Sequence, residues 1–152
     1  RSEVGAGPKL IVSSKNFVVM EYLDGVKIYD WIKDLSGRGS AASLKRTIRK
    51  VLTDCYNLDA ADLDHGELSN ITKHVIVGKS ITIIDFESSS LERRASNVTS
   101  ACQAILIGSG LAKMVNRIYK LPQKQKIITV LRKYKESRTQ ESFDAVLEVL
   151  KL

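Results

Sequence analysis

Titratable side chains stand at both ends of one short apolar stretch. His74 opens the run His74-Val75-Ile76-Val77, Gly78-Lys79-Ser80 interrupts it, and Ile81-Thr82-Ile83-Ile84-Asp85-Phe86-Glu87 ends on acids. Just upstream lies Asp64-His65-Gly66-Glu67-Leu68-Ser69-Asn70. If Gly78-Lys79-Ser80 is the connection, Val77 pairs with Ile81, and stepping outward along the antiparallel ladder sets His74 opposite Ile84 and Lys73 opposite Asp85. One end of the hairpin then collects acid, base and amide groups. A carboxylate at a strand end, close to a second one on the entering loop, is the geometry that holds a metal-bound polyphosphate beside a nucleophilic hydroxyl.

The elements that position these groups can be read from the apolar spacing. Leu10 to Val12 and Phe17 to Tyr22 read as two strands joined by the polar turn Ser13 to Asn16. Val26, Ile28, Tyr29, Trp31, Ile32 and Leu35 share one side of a helix, which Ser36 to Ser40 ends. Leu44, Ile48, Val51, Leu52 and Tyr56 place a second helix over 41–58, followed by a polar segment to Lys73. Both strands of the 74–87 hairpin are nearly continuous Val and Ile, which predicts cover on both faces. Beyond it, Ser88 to Ser90 offer caps for a helix over 91–106, with further helices over 111–120, 124–135 and 140–152. The expected order is two strands, two helices, a hairpin and four helices, an α+β chain.

Composition bounds the function. The 152 residues, 43% apolar and 27% charged, suit one domain with a real core. Cys55 and Cys102 have no metal spacing and read as small buried or half-buried thiols in a reducing cytosol. Arg1 to Pro8 holds no apolar signal core, and the most apolar helical candidate, Val98 to Val115, is interrupted by Gln103, Ser109 and Lys113. A soluble, cytoplasmic protein with no membrane partner is the expectation. The net charge of +7 is uneven: nine Lys or Arg fall between Lys113 and Arg138 against Glu136 alone. Such a stripe is either a solvated helix face or an attractor for an acidic or nucleic-acid partner. A serine nucleophile is rejected because no G-x-S-x-G turn exists. Glycoside hydrolysis by Glu67 and Asp85 ignores what precedes them in the chain.

Met20-Glu21-Tyr22-Leu23-Asp24-Gly25, His65-Gly66-Glu67-Leu68 and Ile84-Asp85-Phe86-Glu87, in that order and spacing, resemble the hinge, catalytic loop and metal loop of protein-kinase-like folds. The nearest resemblance is to atypical archaeal serine/threonine protein kinases related to RIO kinases and aminoglycoside phosphotransferases, and it runs from about Gly7 to Ile107. It implies a mostly helical kinase-like C-terminal lobe over 25–152, with 1–24 as hinge and remnant of an N-terminal lobe. It also implies an ATP-dependent phosphotransferase using Mg²⁺ or Mn²⁺, with an unidentified protein or small-molecule hydroxyl as acceptor. Glu67 matches the catalytic acid that orients the attacking hydroxyl, and Asp85 the acid that holds the cation against the β- and γ-phosphates. Met20 matches the back wall of the adenine pocket, and Glu21 and Leu23 the main-chain contacts to adenine. His65 is implied as a structural brace of its loop.

Some positions depart from that pattern. The family's second metal ligand is an Asn directly before the first hairpin strand; here that position is His74. Either Asn70 supplies the oxygen, or only one metal binds, or the metal site is weak. His74 reads equally as a ligand or as a polar strand-end residue hydrogen-bonded to a carboxylate. Imidazole suits Mg²⁺ poorly. Glu87 replaces a glycine. No G-x-G-x-x-G turn or strand Lys precedes the hinge, so the chain is read as the C-terminal lobe of a longer kinase-like protein, weak or inactive by itself. The alternatives are a catalytically weak kinase-derived binding module and a basic nucleic-acid-associated helical domain.

Overall fold

Apolar stripes that the sequence spaces at helical intervals pack here around one long helix. The computed structural model describes residues 4–152, an α+β fold with seven α-helices and two small antiparallel sheets among those residues. The first three positions of the 1–24 segment lie outside the described residues. The first sheet is the expected hairpin: β1 (Leu10–Ser13) pairs with β2 (Val18–Met20), and Ser14 Oγ accepts the N–H groups of Asn16 and Phe17 in the turn. Its apolar side chains, Leu10 to Val12 and Phe17 to Met20, stay between 40% and 64% exposed.

The second sheet has one strand more than the sequence suggests. Val26 reads as helical, but Gly25–Lys27 is a strand, β3, antiparallel to β4 (Val75–Gly78), which pairs with β5 (Ile81–Ile83). Gly25 explains the difference: a Cβ there would stand 2.6 Å from the Val77 carbonyl oxygen, so only glycine lets the two backbones come together. The helix begins at Ile28 instead, as α1 (Ile28–Asp34), and buries Ile28 and Ile32. Cover on the sheet is also uneven. Val75, Val77 and Ile83 are buried, whereas Ile76 and Ile81 are half-covered.

The long central helix α2 (Ser40–Ala60) buries Leu44, Ile48, Val51, Leu52, Cys55 and Leu58 along one face. Each such aliphatic side chain stabilises by about 1.5–3 kcal/mol relative to exposure. The segment read as polar loop contains a 3-10 turn at Leu68–Asn70 and the short helix α3 (Ile71–His74). After β5, the expected helix starts late, as α4 (Asn97–Leu106). Over 91–96 the chain is held off helical geometry by its arginines. Arg93 Nε donates to Asp64 Oδ2 at 2.9 Å and its Nη2 to the Ser88 carbonyl at 2.5 Å, while Arg94 donates to the Lys135 carbonyl. Ser90 Oγ does accept the N–H groups of Glu92 and Arg93, but as a turn rather than a helix cap.

The remaining helices fall where the apolar spacing puts them: α5 (Gly110–Ile118), α6 (Lys124–Ser137) and α7 (Gln140–Val149). Ser109 Oγ caps α5 by accepting the Ala112 N–H, and Thr139 with Ser142 forms a reciprocal capping box on α7. Phe143 of α7 stacks on Tyr56 of α2 with ring centroids 4.6 Å apart, which ties the C-terminal helix to the centre. Both cysteines are buried and free, and burial pushes both thiols up. Among the described residues no single helix is long and apolar enough to cross a membrane; α4 and α5 reach that length and apolarity only together, across a bend of 74°.

Candidate functional site

The β4–β5 register is the one the turn dictates, with Val77 opposite Ile81 and Val75 opposite Ile83. The Ile84 N–H donates to the His74 carbonyl at 2.9 Å, which places His74 opposite Ile84 as expected. The ladder stops there. Asp85 adopts φ 64°, the left-handed region, so the expected Lys73–Asp85 pairing does not form, and Lys73 belongs to α3. A non-glycine residue in that region is strained, and such strain collects at functional sites. The turn at Asp85 leaves its Oδ2 3.6 Å from His74 Nε2.

His74 sits at the centre of the cluster. It is 5% exposed, its Nδ1 is 2.9 Å from the Asn70 carbonyl, and its Nε2 also stands 3.7 Å from Glu67 Oε2. A carbonyl only accepts, so Nδ1 carries a proton and Nε2 is the atom turned to the two carboxylates. One donor atom each from Glu67, His74 and Asp85 lies within 4.8 Å of the others. Asn70 reaches this cluster through its carbonyl, while its side-chain Oδ1 accepts the Thr72 hydroxyl at 3.3 Å.

The loop that carries Glu67 is held from behind. His65 is fully buried; its Nδ1 accepts the Glu67 N–H at 3.3 Å, so the proton is on Nε2, which donates to the Ile84 carbonyl at 2.9 Å. One imidazole thus fixes the backbone of Glu67 to the residue before Asp85. Burial holds its pKa below the ordinary imidazole value, against the raising effect of the Ile84 carbonyl, and this agrees with a neutral ring. The Phe86 ring meets His65 edge-on, centroids 4.8 Å apart. Gly66, at φ 91°, has no room for a Cβ, which would lie 2.8 Å from the Ser88 carbonyl oxygen.

Two positioning residues were not singled out from the sequence. Asn97, the first residue of α4, accepts the His65 N–H on its Oδ1 at 2.9 Å. Asp59, at the end of α2 and 1% exposed, accepts from the Asn97 N–H and Nδ2, from the Val98 N–H and from the Tyr134 hydroxyl. The loop is therefore braced by α4, which is held by α2 and α6. Only a helical end at Asp59, where the sequence reads polar loop, could have signalled this.

The expected nucleotide contacts lie at the end of the first sheet and in the segment between β2 and β3. Met20 ends β2 and is exposed; the Glu21 N–H donates to the Lys9 carbonyl and its carboxylate accepts the Lys9 N–H at 2.8 Å, while Leu23 is half-buried. Of the nine basic residues between 113 and 138, all but Arg138 are exposed. Arg138 is engaged instead with Asp62 Oδ1 and the Ala95 carbonyl.

The donor set fits a divalent cation. Cis ligands of an octahedral ion bound at about 2.1 Å stand about 3 Å apart, and the side chains of Glu67 and Asp85, 42% and 50% exposed, are free to close by that amount. No protein-family model matches the chain, and no curated protein matches it in sequence.

Proposed function

We propose that this chain is an ATP-dependent phosphotransferase built like the C-terminal lobe of the compact atypical protein kinases. The observation that carries this reading is the meeting of Glu67, His74 and Asp85 at the end of the β4–β5 hairpin, with Asp85 in the left-handed conformation and His65 locking the loop opposite. A divalent cation at that point, Mg²⁺ or Mn²⁺, supplies positive charge to the β- and γ-phosphates of ATP. Asp85 holds the cation, and Glu67 accepts or orients the proton of the attacking hydroxyl. Met20 and the main chain of Glu21 and Leu23 are the groups for adenine.

A groove of about 540 Å³ lined by Tyr29, Ser69, Asn70 and Gln103 follows Glu67 in the chain, and the acceptor is assigned to it on that adjacency; Glu67, His74 and Asp85 do not line it. The segment from Ser88 to Ser96 is pinned by Arg93 and Arg94 and leaves no long loop to hold a peptide, which favours a compact hydroxyl acceptor or an exposed serine or threonine loop. The test is transfer or hydrolysis of γ-labelled ATP with either cation, measured for the chain alone and joined to a kinase-type N-terminal lobe. The chain by itself is expected to be weak, so the rates compared are those of the joined form. Asp85→Asn, a residue that tolerates the same backbone, lowers the rate by about 100-fold or more. Equal rates in the two proteins would end the reading.

The basic surface of α5 and α6 favours one second reading, a kinase-derived module that binds an acidic or nucleic-acid partner without chemistry. Turnover of metal-bound ATP excludes it.

A further inference from the structure

We infer that His74 is a direct metal ligand, so that the site takes a first-row transition cation such as Mn²⁺ in preference to Mg²⁺. This rests on the same cluster as the proposed phosphotransferase but concerns the cation, not the transfer.

The argument begins with the proton on Nδ1. The Asn70 carbonyl fixes it there at 2.9 Å, and a ring nitrogen that donates to a backbone carbonyl is the usual way a metal-binding imidazole is oriented. The opposite nitrogen, Nε2, is buried with its ring and faces Asp85 Oδ2 at 3.6 Å and Glu67 Oε2 at 3.7 Å, both beyond hydrogen-bond reach. Two carboxylates turned to one nitrogen call for positive charge between them, from a proton on Nε2 or from a cation. A cation between the three atoms satisfies all of them at once, with the exposed carboxylates as the groups that close on it.

The chemistry of the set then selects the ion. Mg²⁺ is hard, takes oxygen ligands and demands short octahedral bonds. One imidazole with two carboxylates favours a first-row transition ion over Mg²⁺, and Mn²⁺, the hardest and weakest binder of that row, still accepts an imidazole while keeping positions for phosphate oxygens. Glu67 gives one oxygen to the cation and keeps the other for the hydroxyl. His65 does not compete, because both its nitrogens are engaged, by the Glu67 N–H and the Ile84 carbonyl.

The experiment uses the tag-free chain without nucleotide. Loss of the free Mn²⁺ signal in electron paramagnetic resonance gives the affinity, Mg²⁺ is added as competitor, and pulsed measurements read coupling between bound Mn²⁺ and a ¹⁴N nucleus. The expected result is one Mn²⁺ with nitrogen coupling, displaced only by Mg²⁺ in at least about tenfold excess over parity. His74→Asn, which restores an oxygen donor, removes the coupling and weakens Mn²⁺ by about tenfold or more while Mg²⁺ competes as before. Absence of bound Mn²⁺, or bound Mn²⁺ without nitrogen coupling, overturns the inference, as does Mg²⁺ competing at equal concentration. If His74→Asn fails to fold, judged by circular dichroism, the wild-type coupling alone decides. Phosphotransfer with no nitrogen coupling removes this inference alone; nitrogen coupling with no Asp85-dependent transfer leaves it standing and removes the proposed function.

Discussion

Asp85 combines an exposed carboxylate with a backbone conformation that its side chain disfavours, and the two properties can be separated by substitution. Glycine at this position relieves the left-handed strain and one carboxylate from the cluster, at the cost of added freedom in the unfolded chain. Asp85→Gly is expected to leave stability unchanged or to raise it by up to about 1 kcal/mol in urea unfolding, while cation binding is lost. A clear loss of stability would mean that the carboxylate is structural. At this scale the sequence is partly informative: Asp85 closes a Val- and Ile-rich run and the register brings it to the hairpin end that holds His74, but the left-handed turn that sets its Oδ2 near Nε2 is not written in the pattern. The Asn70 carbonyl that orients His74 is not visible in residue types, because it depends on a one-turn helix at Ile71–His74 inside a stretch whose composition reads as loop.

Elements, rather than residues, carry the brace behind the loop. Asp59 closes α2, accepts both N–H groups at the start of α4 and takes the hydroxyl of Tyr134 from α6, so three helices meet on one buried carboxylate. Its loss strands donors from two elements. Asp59→Ala is therefore expected to cost about 3 kcal/mol or more, and Tyr134→Phe, which removes one donor from a well-supplied acceptor, about 1–2 kcal/mol. Chemical denaturation of the pair checks the order; equal losses would place the energy in the tyrosine contact instead. Pairing across long separation is what the sequence hides here. Val26 satisfies a helical stripe with Tyr29 and Ile32, and only β4, some fifty residues later, draws it into a sheet. Likewise, Arg93 and Arg94 suit a helix locally, yet Asp64 and the Lys135 carbonyl hold them elsewhere. Where an apolar stripe needs no distant partner, as over α2, α6 and α7, element and spacing agree.

The whole molecule presents two unlike surfaces. One is the cationic side of α5 and α6, the other the first sheet, where Ile11 and Phe17 are 64% and 58% exposed. Contiguous exposed apolar strands promote association, and polar residues there remove little packing. Ile11→Thr with Phe17→Lys is expected to lower self-association in analytical ultracentrifugation while changing stability by no more than about 0.5 kcal/mol. A large loss of stability would mean that the hairpin is held by its own side chains. Between these surfaces lies a smaller mechanical fact. A methyl group at Gly7 would stand 3.0 Å from Cε2 of Phe86, and the carbonyl of Ala6 takes the N–H of Ile83, so the leading stretch of chain rides directly on the residues flanking Asp85. Any side chain at position 7 therefore has to displace the Phe86 ring, whose neighbour in sequence is Asp85.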